Sequence, residues 1–188
     1  LAVSVSQILA PTARETSPLW ARSNDEEELD IAPPSLVADE LNRHFPWTFE
    51  TGQFFTLIYG ILDTHTGEFR YVEAGHPSPV WLSEGAVSQL PKSSGLPIGL
   101  GRQPYEEHTV QLRAGDRLVL YSDGVTEVLN AHGEIYGVER LTELWRAHAA
   151  EPLEAGLDRT VRELADWHGG DHFIDDLSLL AVEWQPPK

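Results

Sequence analysis

Two acidic strand edges, far apart in the chain, carry residues suited to holding a cation. The first centres on Asp123, within residues 117–127, Arg-Leu-Val-Leu-Tyr-Ser-Asp-Gly-Val-Thr-Glu. Its apolar run Leu118-Val119-Leu120-Tyr121 reads as a buried strand. Ser122-Asp123-Gly124 stops that strand with a carboxylate on the lip of the core and a glycine that tolerates any backbone turn. The second edge is Asp175-Asp176, directly ahead of Leu177-Ser178-Leu179-Leu180-Ala181-Val182. One Asp-Gly alone is more often a plain turn, but two acidic edges point to one site. Oxygen donors suit Mg²⁺ or Mn²⁺, and neither cysteine nor a close histidine pair is available for zinc. Two hard cations can activate a water and clamp a phosphoryl group for in-line attack. A phosphate monoester needs such help, because its charge repels an anionic nucleophile. For that chemistry the chain looks one anchor short of a full ligand set.

The elements that must position these edges can be read from periodicity. Residues 54–62 and 68–73 form strands around the turn Asp63-Thr64-His65-Thr66-Gly67. Val80-Trp81-Leu82 and Ala86-Val87 bracket a second turn, Ser83-Glu84-Gly85. Ala74-Gly75-His76-Pro77 is a break, and Leu96-Pro97-Ile98-Gly99-Leu100 a compact apolar loop. Residues 108–112 alternate and lead into the central strand, and residues 175–184 form the last strand. Pro33-Pro34-Ser35 opens a helix with Leu36, Val37, Leu41 and Phe45 inward. In two later helices Val138, Leu141, Leu144 and Trp145 share one face, and Leu153, Leu157, Val161 and Leu164 share another, the second helix closed by Gly169-Gly170. Leu1, Val5, Ile8 and Leu9 share a helical face that Pro11 ends. Residues 12–34 have no usable period. Their acidic run at 24–30 is expected to be a mobile, solvated loop, a commoner outcome than a metal-binding one. Strands with helices at both chain ends predict an α+β sandwich.

Composition narrows the partners. At 188 residues with 41% hydrophobic and 23% charged residues, the chain fits a single soluble globular domain. A formal net charge of -17 argues against nucleic acid and against a polybasic membrane anchor. No apolar stretch is long enough to span a bilayer as a helix. Cysteine is absent, which excludes disulfides and allows a cytoplasmic home. Methionine is absent too, so Leu1 is expected not to be the native start, or modified methionines are missing from the sequence.

Taken in order, Phe54-Phe55-Thr56-Leu57-Ile58-Tyr59-Gly60, Ala74-Gly75-His76-Pro77, Leu96-Pro97-Ile98-Gly99, residues 115–127, Asn130 with Gly133-Glu134, and residues 175–180 carry a family pattern. The chain resembles the C-terminal three quarters of a metal-dependent protein phosphatase of the PPM family, in its bacterial SpoIIE-like branch. The resemblance implies an α-β-β-α sandwich: two packed antiparallel β-sheets flanked by helices, here lacking the N-terminal strands. It implies two Mn²⁺ or Mg²⁺ ions, with Asp123 and Asp175 as metal ligands and Asp176 beside them, reaching a water of the shell. His76 is assigned a structural turn rather than a catalytic role. No catalytic side chain is assigned, the nucleophile being a metal-activated water. The implied substrate is a phosphoserine or phosphothreonine on a regulatory protein of the anti-sigma factor antagonist type. Fusion to an upstream sensory or receiver domain is also implied.

One departure stands out. The family's first metal motif, Asp-x-Ser-Gly-His-Gly, which supplies a bridging Asp, is missing ahead of Leu1. An N-terminally incomplete domain is therefore expected to bind metal weakly and to show little activity alone. The alternative is a non-catalytic sandwich serving as a binding or dimerisation module, and a homodimer is admitted on either reading. An acidic Ca²⁺-binding sandwich would need an Asp-x-Asp-x-Asp-Gly loop, which the sequence lacks.

Overall fold

Short runs of branched and aromatic residues between glycine-bearing turns yield nine strands among the described residues, and the helices follow the 3.6-residue apolar stripes. The structure, a computed structural model, describes residues 5, 8–12, 17–22, 29–92, 95–101 and 103–187. In chain order the elements are β1 (Trp20–Arg22), β2 (Leu29–Ile31), α1 (Pro34–His44), β3 (Leu57–Leu62), β4 (Glu68–Ala74), β5 (Val80–Ser83) and β6 (Ala86–Gln89). There follow β7 (Glu107–Gln111), β8 (Arg117–Tyr121), α2 (Asp123–Thr126), α3 (Gly137–Ala147), α4 (Leu153–His168) and β9 (Leu179–Glu183). They fall into two compact units. One comprises Leu1–Leu62, Phe69–Gly75 and Ser93–Val110, the other Asp63–Glu68, His76–Lys92 and Gln111–Lys188.

The first unit holds a three-stranded sheet in the order β3-β4-β7. β3 and β4 pair antiparallel with Leu57 opposite Ala74 and Leu62 opposite Phe69. In α1, Pro34 occupies a first-turn position, where its missing N–H costs no helical bond. Val37, Ala38 and Leu41 form the buried stripe, and they pack with Val72, Ala74, Ile98 and Tyr105. Leu36, expected inward, is instead 51% exposed; it stands about 100° around the helix from Val37, off that stripe. The Leu9 N–H donates to the Val5 carbonyl, an i→i−4 helical bond, while Leu1 lies outside the described residues. Residues 12–34 also differ from the loop expected of them. Trp20–Arg22 pairs antiparallel with Leu29–Ile31, and the Ala32 N–H donates to the Leu19 carbonyl. Three-residue strands are too short for a period to register, so only the cross-strand pairing reveals them. Most of the acidic run, residues 24–28, lies outside the described residues.

The second unit positions the acidic edges. Its sheet has the order β6-β5-β8-β9, and every pairing is antiparallel. Glu84 and Gly85 close the β5–β6 hairpin with positive φ at both positions, 50° and 80°, as a two-residue turn between twisted strands requires. β8 lies between β5 and β9, so its backbone is bonded on both sides and its end is rigidly held. Val80, Leu82, Val119 and Tyr121 from the sheet pack with Leu141 and Trp145 of α3 and Leu164 of α4. Gly156 lets these helices approach: a Cβ there would sit 2.8 Å from the Trp145 ring. Gly169, at φ 83°, caps α4 in the left-handed conformation that favours glycine.

Arg117, at the start of β8, ties this unit together. Its Nε donates to Glu183 Oε2 at 2.7 Å, and a terminal nitrogen donates to the carbonyls of Ala149 and Glu151 at 2.9 and 2.7 Å. Hydrogen bonds from Gln185 and Arg117 hold the Glu183 carboxyl below its ordinary pKa of 4.5. A carboxyl whose folded pKa is depressed stabilises the fold fully above its unfolded value and loses that contribution as pH falls through the folded one. Stability should therefore drop below about pH 4.5. In urea melts at pH 6 and pH 3.5, Glu183→Gln is expected to lose less stability on acidification than the parent. Equal losses would show that the pair contributes nothing to the pH dependence.

Candidate functional site

The end of β8 and the segment before β9 meet, and Ser122 fastens them. Its backbone N–H donates to the Ser178 carbonyl at 3.0 Å, its hydroxyl donates to the Asp176 carbonyl at 3.1 Å, and the same hydroxyl accepts the Ser178 N–H at 3.0 Å. A side chain thus replaces the ladder where the strands part. β9 accordingly begins at Leu179, not at 175 as expected.

After Ser122 the chain turns into α2, a single helical turn with Asp123 at its start. The expected role of Gly124, freedom to adopt any turn, is not what the position demands, since its φ is not positive. A Cβ there would lie 2.7 Å from the Asp176 carbonyl oxygen and 3.5 Å from the Asp175 Cβ. Glycine is required because the two acidic edges press against each other at this point.

Asp123, Asp175 and Asp176 are all exposed. Asp123 Oδ1 accepts the Gly124 N–H at 3.0 Å, and Asp175 Oδ1 accepts the Asp176 N–H at 2.8 Å. Each therefore keeps its second oxygen outside these local bonds. Beneath them Val125 and Val128 are buried. Trp167 Nε1 donates to the Val128 carbonyl at 3.1 Å, and His168 Nδ1 donates to the Leu129 carbonyl at 2.8 Å, which anchors the segment after α2 to α4.

Other stretches singled out in the sequence are structural. Asn130 Oδ1 accepts the N–H groups of His132 and Glu134, its amide donates to the Glu134 carboxylate, and Gly133 takes φ 77°. His76 Nδ1 bonds the neighbouring Pro77 carbonyl at 3.0 Å. Gly75, at φ 70°, donates its N–H to the Gly95 carbonyl, and a Cβ there would lie 2.6 Å from the Pro97 ring. Sequence reasoning missed the Ser122 clamp and the pairing of Tyr136 with Glu163, whose carboxylate accepts the phenol at 2.7 Å. Burial and that bond push the Tyr136 pKa well above its ordinary value.

The donor chemistry suits a hard divalent cation: one carboxylate directly after β8 and two in the segment clamped beside it, all facing solvent. The number does not complete a coordination shell. Among the described residues, no group of three His, Cys, Asp or Glu side chains is arranged to hold a metal ion. Asp123 and Asp175, with Asp176 beside them, are the residues that would contribute.

Antiparallel sheets flanked by helices are the architecture of the PPM phosphatase class of fold, and the solved structures similar to this chain share it. The profile of the family described as Stage II sporulation protein E (SpoIIE) matches residues 8–185, and the chain belongs to that family. Protein IcfG of Synechocystis sp. is 32% identical over 136 residues, which are 71% of this chain and 21% of IcfG. Phosphoserine phosphatase RsbU of Bacillus subtilis is 27% identical over 154 residues, 79% of this chain and 44% of RsbU. The chain thus spans less than half the length of either relative. Among solved structures, the RsbU and RsbW domains of Rv1364c from Mycobacterium tuberculosis superpose with a TM-score of 0.65 at 26% identity, covering 81% of this chain and 41% of that one. The manganese-presoaked phosphatase domain of SpoIIE from Bacillus subtilis gives 0.61 at 19% identity, covering 82% and 67%, a likeness of fold alone.

Proposed function

We propose that this chain is a metal-dependent serine/threonine phosphatase domain acting in the cytoplasm on a phosphorylated regulatory protein of the anti-sigma factor antagonist type. The observation that carries the reading is the junction at Gly124, where the end of β8 and the segment before β9, clamped together by Ser122, bring two acidic edges together facing solvent. Family membership supports it, as does a relative named a phosphoserine phosphatase. Asp123 and Asp175 would hold Mn²⁺ or Mg²⁺, with Asp176 beside them in sequence reaching a water of the shell. Bound there, such ions neutralise phosphoryl charge and make a water acidic enough to attack at neutral pH. In the net reaction the water oxygen bonds to phosphorus, the ester P–O bond breaks, and the serine or threonine oxygen leaves with a proton. The lengths of IcfG and RsbU are consistent with further domains, sensory or receiver, joined to this one.

A second reading, a binding or dimerisation module, is favoured by one feature: Asp123 and Asp175 each spend an oxygen on the next backbone N–H instead of leaving both oxygens for a cation. Metal dependence separates the two. In the full protein carrying this chain, Mn²⁺ should support phosphate release from a phosphoserine protein, EDTA should abolish it, and excess Mn²⁺ should restore it. Turnover indifferent to EDTA would overturn the metal-dependent mechanism; no turnover under any condition would favour the module.

A further inference from the structure

Beside the acidic edges lies a cleft of about 210 Å³, whose lining combines the apolar Val128, Leu129, Phe173 and Ile174 with Gly124 and the polar Glu127, His168 and Asp175. We propose that this cleft is a specificity subsite that takes one apolar side chain flanking the phosphorylated residue of the substrate; the proposal rests on the phosphatase reading above. Three observations carry it.

The first is continuity. Gly124 and Asp175 belong both to the cleft and to the junction of the acidic edges. Consecutive residues of a bound peptide are about 3.8 Å apart. A phosphoserine addressed to the carboxylates therefore keeps its flanking residues within reach of the cleft.

The second is size. Clefts that accept whole small molecules run to roughly 300–1,000 Å³. This one is smaller and suits a single leucine- or phenylalanine-sized group.

The third is the character of the walls. Leu129 and Ile174 are 41% and 91% exposed, large aliphatic groups left in water at the edge of a candidate site. The Phe173 ring packs beside the His168 ring, 5.7 Å away between centroids. His168 is itself fastened to the Leu129 carbonyl. The wall is thus a supported surface, and its occupant is apolar by complementarity.

The test uses the full protein with Mn²⁺ and three substrates: p-nitrophenyl phosphate, a phosphoserine peptide flanked by leucine, and the same peptide flanked by serine. Wild type should show at least a tenfold higher kcat/KM for the leucine-flanked peptide, carried mainly by KM. In the Leu129→Ser, Ile174→Ser double variant that preference should collapse to below threefold, with p-nitrophenyl phosphate turnover within twofold of wild type. Both replaced side chains are exposed, so the variant should melt within a few degrees of the parent. Lack of preference in wild type, or a preference that survives the double variant, overturns the subsite while leaving the phosphatase reading intact. Failure of wild type to hydrolyse any of the three overturns the phosphatase reading and the subsite together.

Discussion

Replacing Asp123 by Asn should lower Mn²⁺-dependent phosphate release on the order of 100-fold or more while leaving the fold in place. The two halves of that expectation have separate causes. Asn keeps an oxygen that can accept the Gly124 N–H, the bond Asp123 Oδ1 makes at 3.0 Å. The start of α2 should therefore form as before, and the melting temperature should move by no more than a few degrees. What Asn cannot supply is negative charge. Cation binding and the charge stabilisation it brings to a phosphoryl transition state are worth several kcal/mol, and each ~1.4 kcal/mol is a factor of ten in rate. Phosphate release and a thermal melt on one preparation of the full protein check both halves. A variant with parental turnover would remove Asp123 from the site, and one that is inactive and unfolded would leave its role as structural.

The second large effect is expected at a residue without a side chain. Gly124→Ala places a methyl group 2.7 Å from the Asp176 carbonyl oxygen, inside van der Waals contact and against backbone that cannot rotate away. The segment at 175–176 must move outward by several tenths of an ångström, and the Ser122 hydroxyl must lengthen its bond to the same carbonyl. Overpacking of this kind costs about 1–3 kcal/mol. The larger consequence is functional, because misplacing catalytic groups by about 1 Å can cost on the order of 100-fold. Loss of phosphate release should therefore exceed what the modest fall in urea midpoint implies. Restoring room at the contact is not possible by trimming a side chain, since the obstacle is a main-chain oxygen. An alanine variant with parental activity and stability would mean that the two edges need not abut for function.

The place of Asp123 was legible in the chain, because it follows an apolar run of four residues that the structure forms into β8. Asp175-Asp176 precede another apolar run, but the strand there starts only at Leu179, so hydrophobic pattern alone put that edge too early. The hairpins at 63–67 and 84–85 were legible from turn residues between alternating runs. Leu36 was misplaced because neighbouring apolar residues on a helix compete for one stripe, and only contacts decide which of them is buried. The pair β1 and β2 was invisible because three-residue strands carry no period and gain their bonds only from each other.

The order of the longer elements, the carboxylates beside apolar runs and the family pattern were determined by sequence, because periodicity and turn chemistry are local and survive in one dimension. The meeting of residues more than fifty positions apart was decided by tertiary structure alone: Ser122 clamping the Asp176 carbonyl, Gly124 yielding space to it, and the apolar cleft opening alongside. No local rule encodes these contacts. They follow from β8 and β9 pairing side by side, so that a glycine read as a turn residue is a glycine of close approach.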